Sequence, residues 1–400
     1  MRILIASSQY PPNQGGGGTH AFYLASELAA MGCRVQVLTS TSRGQPAAAK
    51  VNSNLTIHRV DFGDKSVIAG TEAVRKGLDL CREFKPDVIH GQHIQGGNIA
   101  ARLKSVFHVP LVITIHKTPR LQFEDELVTL DPTYSEIRFL TTIGLCDCFV
   151  AGSRAFLSEL THLAGSISRP PRIQLIYHGV SQNWLQFRAY RGAKTPLEIG
   201  LNLPRNAQLV ICPARIDRRK NLDLFVWAGA ETCRRLPGLD LRFLITGEPS
   251  CPAEDRYKRE LMQQAASLGI PGKLIFKAFD FSLLPCAFRF ASACVLPSYK
   301  EGLGLVLLEA MALRVPVIST KTIGIDEVVS QSGNGALLFE LGEPEDLVNH
   351  LIRTLTDPKA AAALRRTGSQ LVRERFSGRR MAEQHLALYS SLLSAAGSSS

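Results

Sequence analysis

Glu301 and Glu309 stand eight positions apart in Tyr299-Lys-Glu-Gly-Leu-Gly-Leu-Val-Leu-Leu-Glu309, with Gly302 and Gly304 between them. Ala293-Cys-Val-Leu296 before this stretch is a short apolar run stopped by Pro297, the pattern of a strand end. Ala310-Met-Ala-Leu313 after it continues a series of good helix formers. The stretch reads as strand, glycine loop, helix. The amides of such a loop and the helix N-terminus converge on one spot, which suits phosphate. Carboxylates there would repel phosphate, so they make better sense as hydroxyl acceptors at its two sides. If helical throughout, eight residues rise roughly 12 Å, about the span of a diphosphate with a sugar at each end. The stretch suggests a nucleotide-sugar site; the alternative is a buried helix with two incidental glutamates.

Other residues could complete that chemistry. Arg215-Ile-Asp-Arg-Arg-Lys220-Asn221 lies between a strand and a helix, and cations five positions apart in such a turn can hold a diphosphate. They would stabilise its charge as a bond to it breaks; Arg218 and Arg219 are expected to point outward, and a solvated basic loop is the alternative. Glu124-Asp-Glu126 lacks the Asp-x-Asp spacing that holds a metal against a diphosphate, and no such pair occurs elsewhere. No metal is therefore expected, and Arg215 and Lys220 take its place. His116 ends the apolar run Pro110-Leu-Val-Ile-Thr-Ile-His116, at the strand end where α/β proteins bind ligands. His20, His90 and His93 are further histidine candidates. Gly15 to Gly18 allow close backbone approach at the start of the helix after them.

The elements that must position these residues alternate. Ile3 to Ala6 is a strand, Pro11 to His20 a loop, Ala21 to Met31 a helix closed by Gly32, and Val35 to Thr39 the next strand. The four glycines do not fit the dinucleotide spacing Gly-x-Gly-x-x-Gly, which argues against a dehydrogenase. Strands and helices continue to Ile176, pause over 179–206, and restart at Gln208. The pause, with Pro196, Pro204 and the basic residues Arg188, Arg191 and Lys194, reads as a linker between two open α/β sheets. Two amphipathic helices, Pro344 to Leu355 and about Met381 to Leu393, end the chain.

Composition agrees. Four hundred residues exceed one ordinary core. With 45% hydrophobic and 20% charged residues the chain is a folded one. Its net charge of +11 divides as +5 up to residue 190 (19 basic, 14 acidic) and +6 beyond it (27 and 21), so the excess is spread. Diffuse basic charge suits anionic ligands or a peripheral hold on an anionic membrane; no nucleic-acid module is recognisable. The nine Cys show no zinc spacing and suit a reducing cytosol. The apolar start Ile3 to Ala6 is too short for a signal peptide, and no run reaches the ~18 residues of a membrane span. A cytoplasmic protein follows, soluble or peripheral at the inner membrane face.

In this order along the chain, the motifs resemble the retaining glycosyltransferases of family 4, which have the GT-B fold. Pro11-Pro12-Asn-Gln-Gly15-Gly16 is similar to the family's first loop, and Thr114-Ile-His116 to the strand end carrying its site histidine. His178-Gly179-Val180 is similar to the segment before its linker, Arg215 and Lys220 to its cation pair, and Glu301 and Glu309 to its Glu-x7-Glu motif. Ser181 and Ala214 depart from the pattern, where Asp and Gly are common. The resemblance covers most of the chain and implies two doubly wound Rossmann-like α/β domains facing across a cleft. An acceptor-side domain would span 1–190, a linker 191–206 and a donor-binding domain 207–378, with a helix over 379–400 crossing back to the first domain.

The resemblance also implies roles. Glu301 would hold donor-sugar hydroxyls with the amides of Gly302, Leu303 and Gly304, and Glu309 the ribose. The amides of Leu305 and Val306 and the side chains of Arg215 and Lys220 would hold the diphosphate. Gly16, beside Gly17, would lie beneath it from the first domain. His116 would contact the sugar, and 276–279 would lie near the base. Gln92, His93 and residues 117–135 would face the acceptor. The implied reaction moves a sugar from a nucleotide-diphosphate sugar, UDP rather than GDP, to an acceptor hydroxyl. It retains anomeric configuration and uses no metal or other cofactor. The acceptor could be a glycan, a lipid-linked sugar or a small molecule. A nucleotide-sugar epimerase or hydrolase, or a non-catalytic nucleotide-sugar binding protein, are the alternatives.

Overall fold

The computed structural model describes residues 1–12, 15–63, 70–116, 145–165, 170–186, 194–330 and 335–397. The acidic run 124–126, the acceptor segment 117–135 and the basic residues Arg188 and Arg191 lie outside the described residues. Two compact units are present, one of residues 1–181 with 377–400 and one of 182–376. These divisions lie near the anticipated 190 and 378, and described residues 194–206 belong to the second unit.

The first unit holds an eight-stranded sheet. Its strands are β1 (Arg2–Ser7), β2 (Arg34–Ser40), β3 (Ala48–Lys50), β4 (Leu55–Val60), β5 (Val88–Gln92), β6 (Leu111–Ile115), β7 (Cys148–Ala151) and β8 (Arg172–Leu175). Their order is β3-β4-β2-β1-β5-β6-β7-β8. Only the short β3 runs antiparallel; it pairs the outer edge of β4. The central strands β6 and β7 are almost wholly apolar and buried, as expected where helices cover both faces of a parallel sheet. Val88, Ile89, Leu111, Val112 and Ile113 are fully buried. The helices are α1 (Gly16–Ala30), α2 (Thr71–Phe84), α3 (His93–Phe107) and α4 (Arg154–Ala164).

Helix α1 begins five residues before the expected Ala21, so Gly16, Gly17 and Gly18 form its first turn rather than a loop. Glycine is a poor helix former, but close packing favours it at Gly17 and Gly18. A Cβ on Gly18 would lie 3.0 Å from the Gln9 backbone, and one on Gly17 3.0 Å from His116 Cδ2.

The second unit opens with α5 (Gln182–Gln186). A six-stranded, wholly parallel sheet follows: β9 (Gln208–Cys212), β10 (Leu241–Ile245), β11 (Leu274–Phe276), β12 (Ala291–Leu296), β13 (Val317–Thr320) and β14 (Leu337–Phe339), in the order β11-β10-β9-β12-β13-β14. Its helices are α6 (Leu222–Arg235), α7 (Pro252–Ser267), α8 (Leu284–Phe290), α9 (Leu305–Ala312), α10 (Ile323–Ser330), α11 (Pro344–Thr356) and α12 (Pro358–Arg375). Pro at the first helical position and acidic residues in the first turn start α7 and α11. Asp357 caps α12 by accepting from the amides of Lys359 and Ala360.

The last helix, α13 (Gly378–Gly397), belongs to the first unit. Val180 forms a parallel bridge with Ser377, and the Gly378 amide donates to Val180 O at 2.7 Å. A side chain on Gly179 would collide with the Ser377 backbone, which is why glycine stands there. Among the described residues no helix is long and apolar enough to cross a membrane.

Candidate active site

Each sheet has a switch point, where one strand is flanked by neighbours whose connections run opposite ways. It is β1/β5 in the first unit and β9/β12 in the second. Ligands of open α/β sheets bind beyond the strand C-termini at such points, and the candidate residues gather there in both units.

In the second unit, β9 leads to Arg215 and to a short 3-10 turn, Arg218–Lys220. Asp217 caps that turn, accepting from the Arg219 amide at 3.0 Å and from its guanidinium at 2.6 Å. Burial raises the Asp217 pKa, but the Arg219 hydrogen bonds outweigh it and hold the carboxyl below its ordinary range. Arg218 stacks over Tyr257, 4.5 Å from the ring centre, and pairs with Glu260. Arg215 is half exposed, with Asp217 at 3.5 Å. Asn221 then takes a left-handed conformation, φ 50°, and opens α6, a conformation Asn adopts more readily than most residues.

The turn fixes Lys220. Its Nζ donates to Glu301 Oε1 at 2.6 Å, and Ser298 Oγ donates to the same oxygen at 2.7 Å. The side chains are 23% and 13% exposed, so the pair is largely sheltered yet reachable. The Tyr299 amide donates to Arg219 O at 3.0 Å, and Thr320 Oγ1 to Ser298 O at 2.6 Å. The loop after β12 is thereby tied to the loop after β9.

Glu301 to Gly304 are not helical, so an eight-residue helical span does not occur. Gly304 takes φ +70° and caps α9, which begins at Leu305. Only four residues of helix, roughly 6 Å of rise, separate Leu305 from Glu309. The first-turn amides of Leu305 and Val306 have no acceptor within the helix. Glu309, 4% exposed, lies one turn further in. Gly324 packs so closely on the Gly302 carbonyl that any Cβ there would overlap it. Behind Arg215, Gly247 leaves room for the Ala214 carbonyl in the same way. Neither glycine had a signal in the sequence.

In the first unit, Ser7 pairs with Gln92 across β1/β5, and Gln92 with Thr114 across β5/β6. A small pocket is lined by Ser7 to Gln9, Gly17, Gln92, His93 and His116. His93 takes φ 61°, rare for a residue with a side chain, and its Nδ1 accepts from the Ile94 amide at 2.8 Å. His116 Nε2 lies 2.9 Å from Gln92 Oε1.

Behind the pocket stands a group of imidazoles that the sequence did not reveal as a group. The His20 ring lies 4.9 Å from His116 and 4.2 Å from His178, and His90 lies 5.4 Å from His385. Burial, then neighbouring imidazoles, hold His20, His90 and His116 well below the ordinary histidine range. Burial takes His178 and His385 down to about 4. Among the described residues no group of three or more His, Cys, Asp or Glu is arranged to hold a metal ion.

Residues 14–184 match the family model "Glycosyltransferase Family 4" and residues 197–371 match "Glycosyl transferases group 1". The chain is 26% identical to a D-inositol 3-phosphate glycosyltransferase of Saccharomonospora viridis, over 99% of this chain and 94% of that protein. It is 28% identical to the enzyme of that name from Thermomonospora curvata, over 88% and 86%. Among solved structures, sucrose-phosphate synthase from Thermosynechococcus elongatus superposes with TM-score 0.79 at 24% identity, covering 98% of this chain and 99% of that one. Anabaena HepE in complex with UDP and glucose superposes with TM-score 0.71 at 19% identity, covering 98% and 100%. The two family models together span most of the chain, the solved structures share its fold along nearly its whole length, and the chain belongs to the family 4 glycosyltransferases, enzymes of the GT-B fold.

Proposed function

We propose that this glycosyltransferase moves a sugar from a nucleotide-diphosphate sugar, UDP in preference to GDP, to an acceptor hydroxyl with retention of configuration and without a metal. The observation that carries the reading is the Lys220–Glu301 pair beside the free-ended first turn of α9. An ammonium has three donors; with one on Glu301, two can reach diphosphate oxygens. The same contact holds the carboxylate in place to accept sugar hydroxyls. Arg215 adds a second cation, the amides of Gly302 to Val306 add neutral donors, and Glu309 takes the ribose. The acceptor hydroxyl attacks on the face from which the diphosphate leaves. The leaving oxygen takes its proton, and Arg215 and Lys220 stabilise the charge that develops. No protein base is required on this route.

Gly16, Gly17 and His116 are assigned to the donor's sugar side, and Gln92 and His93 to the acceptor. Two observations support this: the pocket that Gly17, His116, Gln92 and His93 line, and a Gly16 whose added Cβ would meet nothing within 4 Å. The HepE structure in complex with UDP and glucose favours UDP by analogy. A cytoplasmic site of action with peripheral membrane contact belongs to the same proposal, on the diffuse charge of +11.

The test is a thermal-shift screen of UDP- and GDP-sugars, where a ligand at 100 times its Kd adds about 2.7 kcal/mol. The best donor is then incubated, in EDTA, with an acceptor panel that includes D-inositol 3-phosphate. A product with the donor's anomeric configuration is expected. An inverted product, strict dependence on added metal, or hydrolysis in place of transfer would overturn the corresponding part of the reading.

A further inference from the structure

His116 stands at one end of a hydrogen-bond chain that reaches the last helix. Gln92 Oε1 lies 2.9 Å from His116 Nε2. Gln92 Nε2 lies 3.2 Å from His90 Nε2, and Thr114 Oγ1 lies 2.8 Å from the same nitrogen. His90 Nδ1 lies 2.6 Å from the phenol oxygen of Tyr389 on α13. His90, Thr114 and Tyr389 are fully buried and Gln92 is 1% exposed, so water does not relax the chain.

The donors follow from the groups. An amide oxygen only accepts, so His116 Nε2 carries a proton and donates to Gln92. An amide nitrogen only donates, so His90 Nε2 accepts from Gln92, and the Thr114 hydroxyl can donate to it as well. A neutral imidazole that accepts at Nε2 carries its proton at Nδ1, so His90 donates to Tyr389. The surroundings keep these rings neutral, since burial and adjacent imidazoles disfavour charge on both. His116 Nδ1 is left as the lone-pair nitrogen, and it has no hydrogen-bond partner among the described residues.

We propose that Tyr389 is a positioning residue for sugar transfer, which through His90 and Gln92 fixes the tautomer and orientation of His116. This rests on the reading of His116 as part of the site. Removing the phenol oxygen leaves the His90 Nδ1–H buried without an acceptor. The His90 proton then moves to Nε2, where it opposes the Gln92 amide nitrogen, and the amide turns over. Its nitrogen now faces His116 Nε2, which must accept, so the His116 proton moves to Nδ1. A hydroxyl on α13 thus decides which nitrogen of a strand-end histidine is protonated.

The experiment labels all histidines with ¹⁵N in the full chain at pH 7.5 and assigns His116 by its loss in His116→Gln. Wild type should show His116 as the Nε2–H tautomer and Tyr389→Phe should show it mainly as Nδ1–H. Turnover, read as UDP release from UDP-glucose, should fall about tenfold in Tyr389→Phe with donor affinity unchanged. A folded Tyr389→Phe that keeps the wild-type tautomer overturns the inference, as does a wild type already in the Nδ1–H form. If Tyr389→Phe does not fold, His90→Leu removes the imidazole that links Tyr389 to Gln92; His116 should then lose its preference for Nε2–H, and an unmoved tautomer again overturns the inference. Full transfer activity in His116→Gln would instead overturn the site reading, with the tautomer result judged separately.

Discussion

Lowering the pH from 7.5 to 5 should weaken the first unit through its buried imidazoles. His178 and His385 ordinarily titrate near 6.5 and are held at about 4 in the folded chain, by burial first. Between those values the unfolded chain binds protons that the folded chain refuses. Stability is therefore full above pH 6.5, falls as pH drops through 6.5, and stops falling below about 4. Integrating the proton difference to pH 5 gives about 2 kcal/mol for each residue, about 4 kcal/mol for the two. His20, His90 and His116 shift the same way and add to it. The carboxylates held low, Asp87 and Asp217, stay ionised at pH 5 and leave this window to the histidines. Both tryptophans, Trp184 and Trp227, lie in the second unit, so their fluorescence would miss the effect. Amide hydrogen exchange on β1, β5 and β6, at pH 7.5 and pH 5 after correction for intrinsic rates, reads it directly. His385→Gln should reduce the slope of stability against pH by up to one proton, about 1.4 kcal/mol per pH unit. A first unit equally stable at both pH values, within about 1 kcal/mol, would refute the reasoning.

Two glycines separate packing from binding. Gly16→Ala places its methyl where nothing lies within 4 Å; Tm should hold while donor turnover falls, and unchanged turnover would remove Gly16 from the site. Gly324→Ala must displace the Gly302 carbonyl. It should cost about 1–3 kcal/mol of second-unit stability and weaken donor binding with it; denaturant unfolding followed by Trp fluorescence, beside donor titration, checks both.

Much of this fold was readable in the chain because its strands are nearly continuous apolar runs. Leu111 to Ile115 and Val317 to Thr320 sit close to where pattern alone put them. The Glu301 loop was readable because glycines between a strand end and a helix have few other uses. The helical span to Glu309 was overdrawn, because Gly304 in a left-handed conformation starts the helix only at Leu305. The start of α1 was missed because packing on Gln9 and His116 overrides the weak helix propensity of three glycines. Helix α12 was missed as well. Its apolar positions are sparse among arginines, and Gly368 interrupts them, although Leu364, Leu371 and Val372 are buried. The histidine group had no local signature at all. His20, His90, His116, His178 and His385 come from separate segments, and only the sheet order and the return of α13 bring them together.

Donor affinity in site variants tests the account most directly. The nucleotide-sugar that most stabilises the wild type is titrated calorimetrically into wild type, Lys220→Ala, Glu301→Gln and Glu309→Gln, and turnover is measured alongside. Loss of a charged hydrogen bond of about 1.5–3 kcal/mol predicts Kd weakened roughly 10- to 100-fold in Lys220→Ala. Glu301→Gln should lower turnover with donor bound, and Glu309→Gln should weaken the nucleotide itself. Wild-type affinity and turnover in all three variants would contradict the assignment of this site.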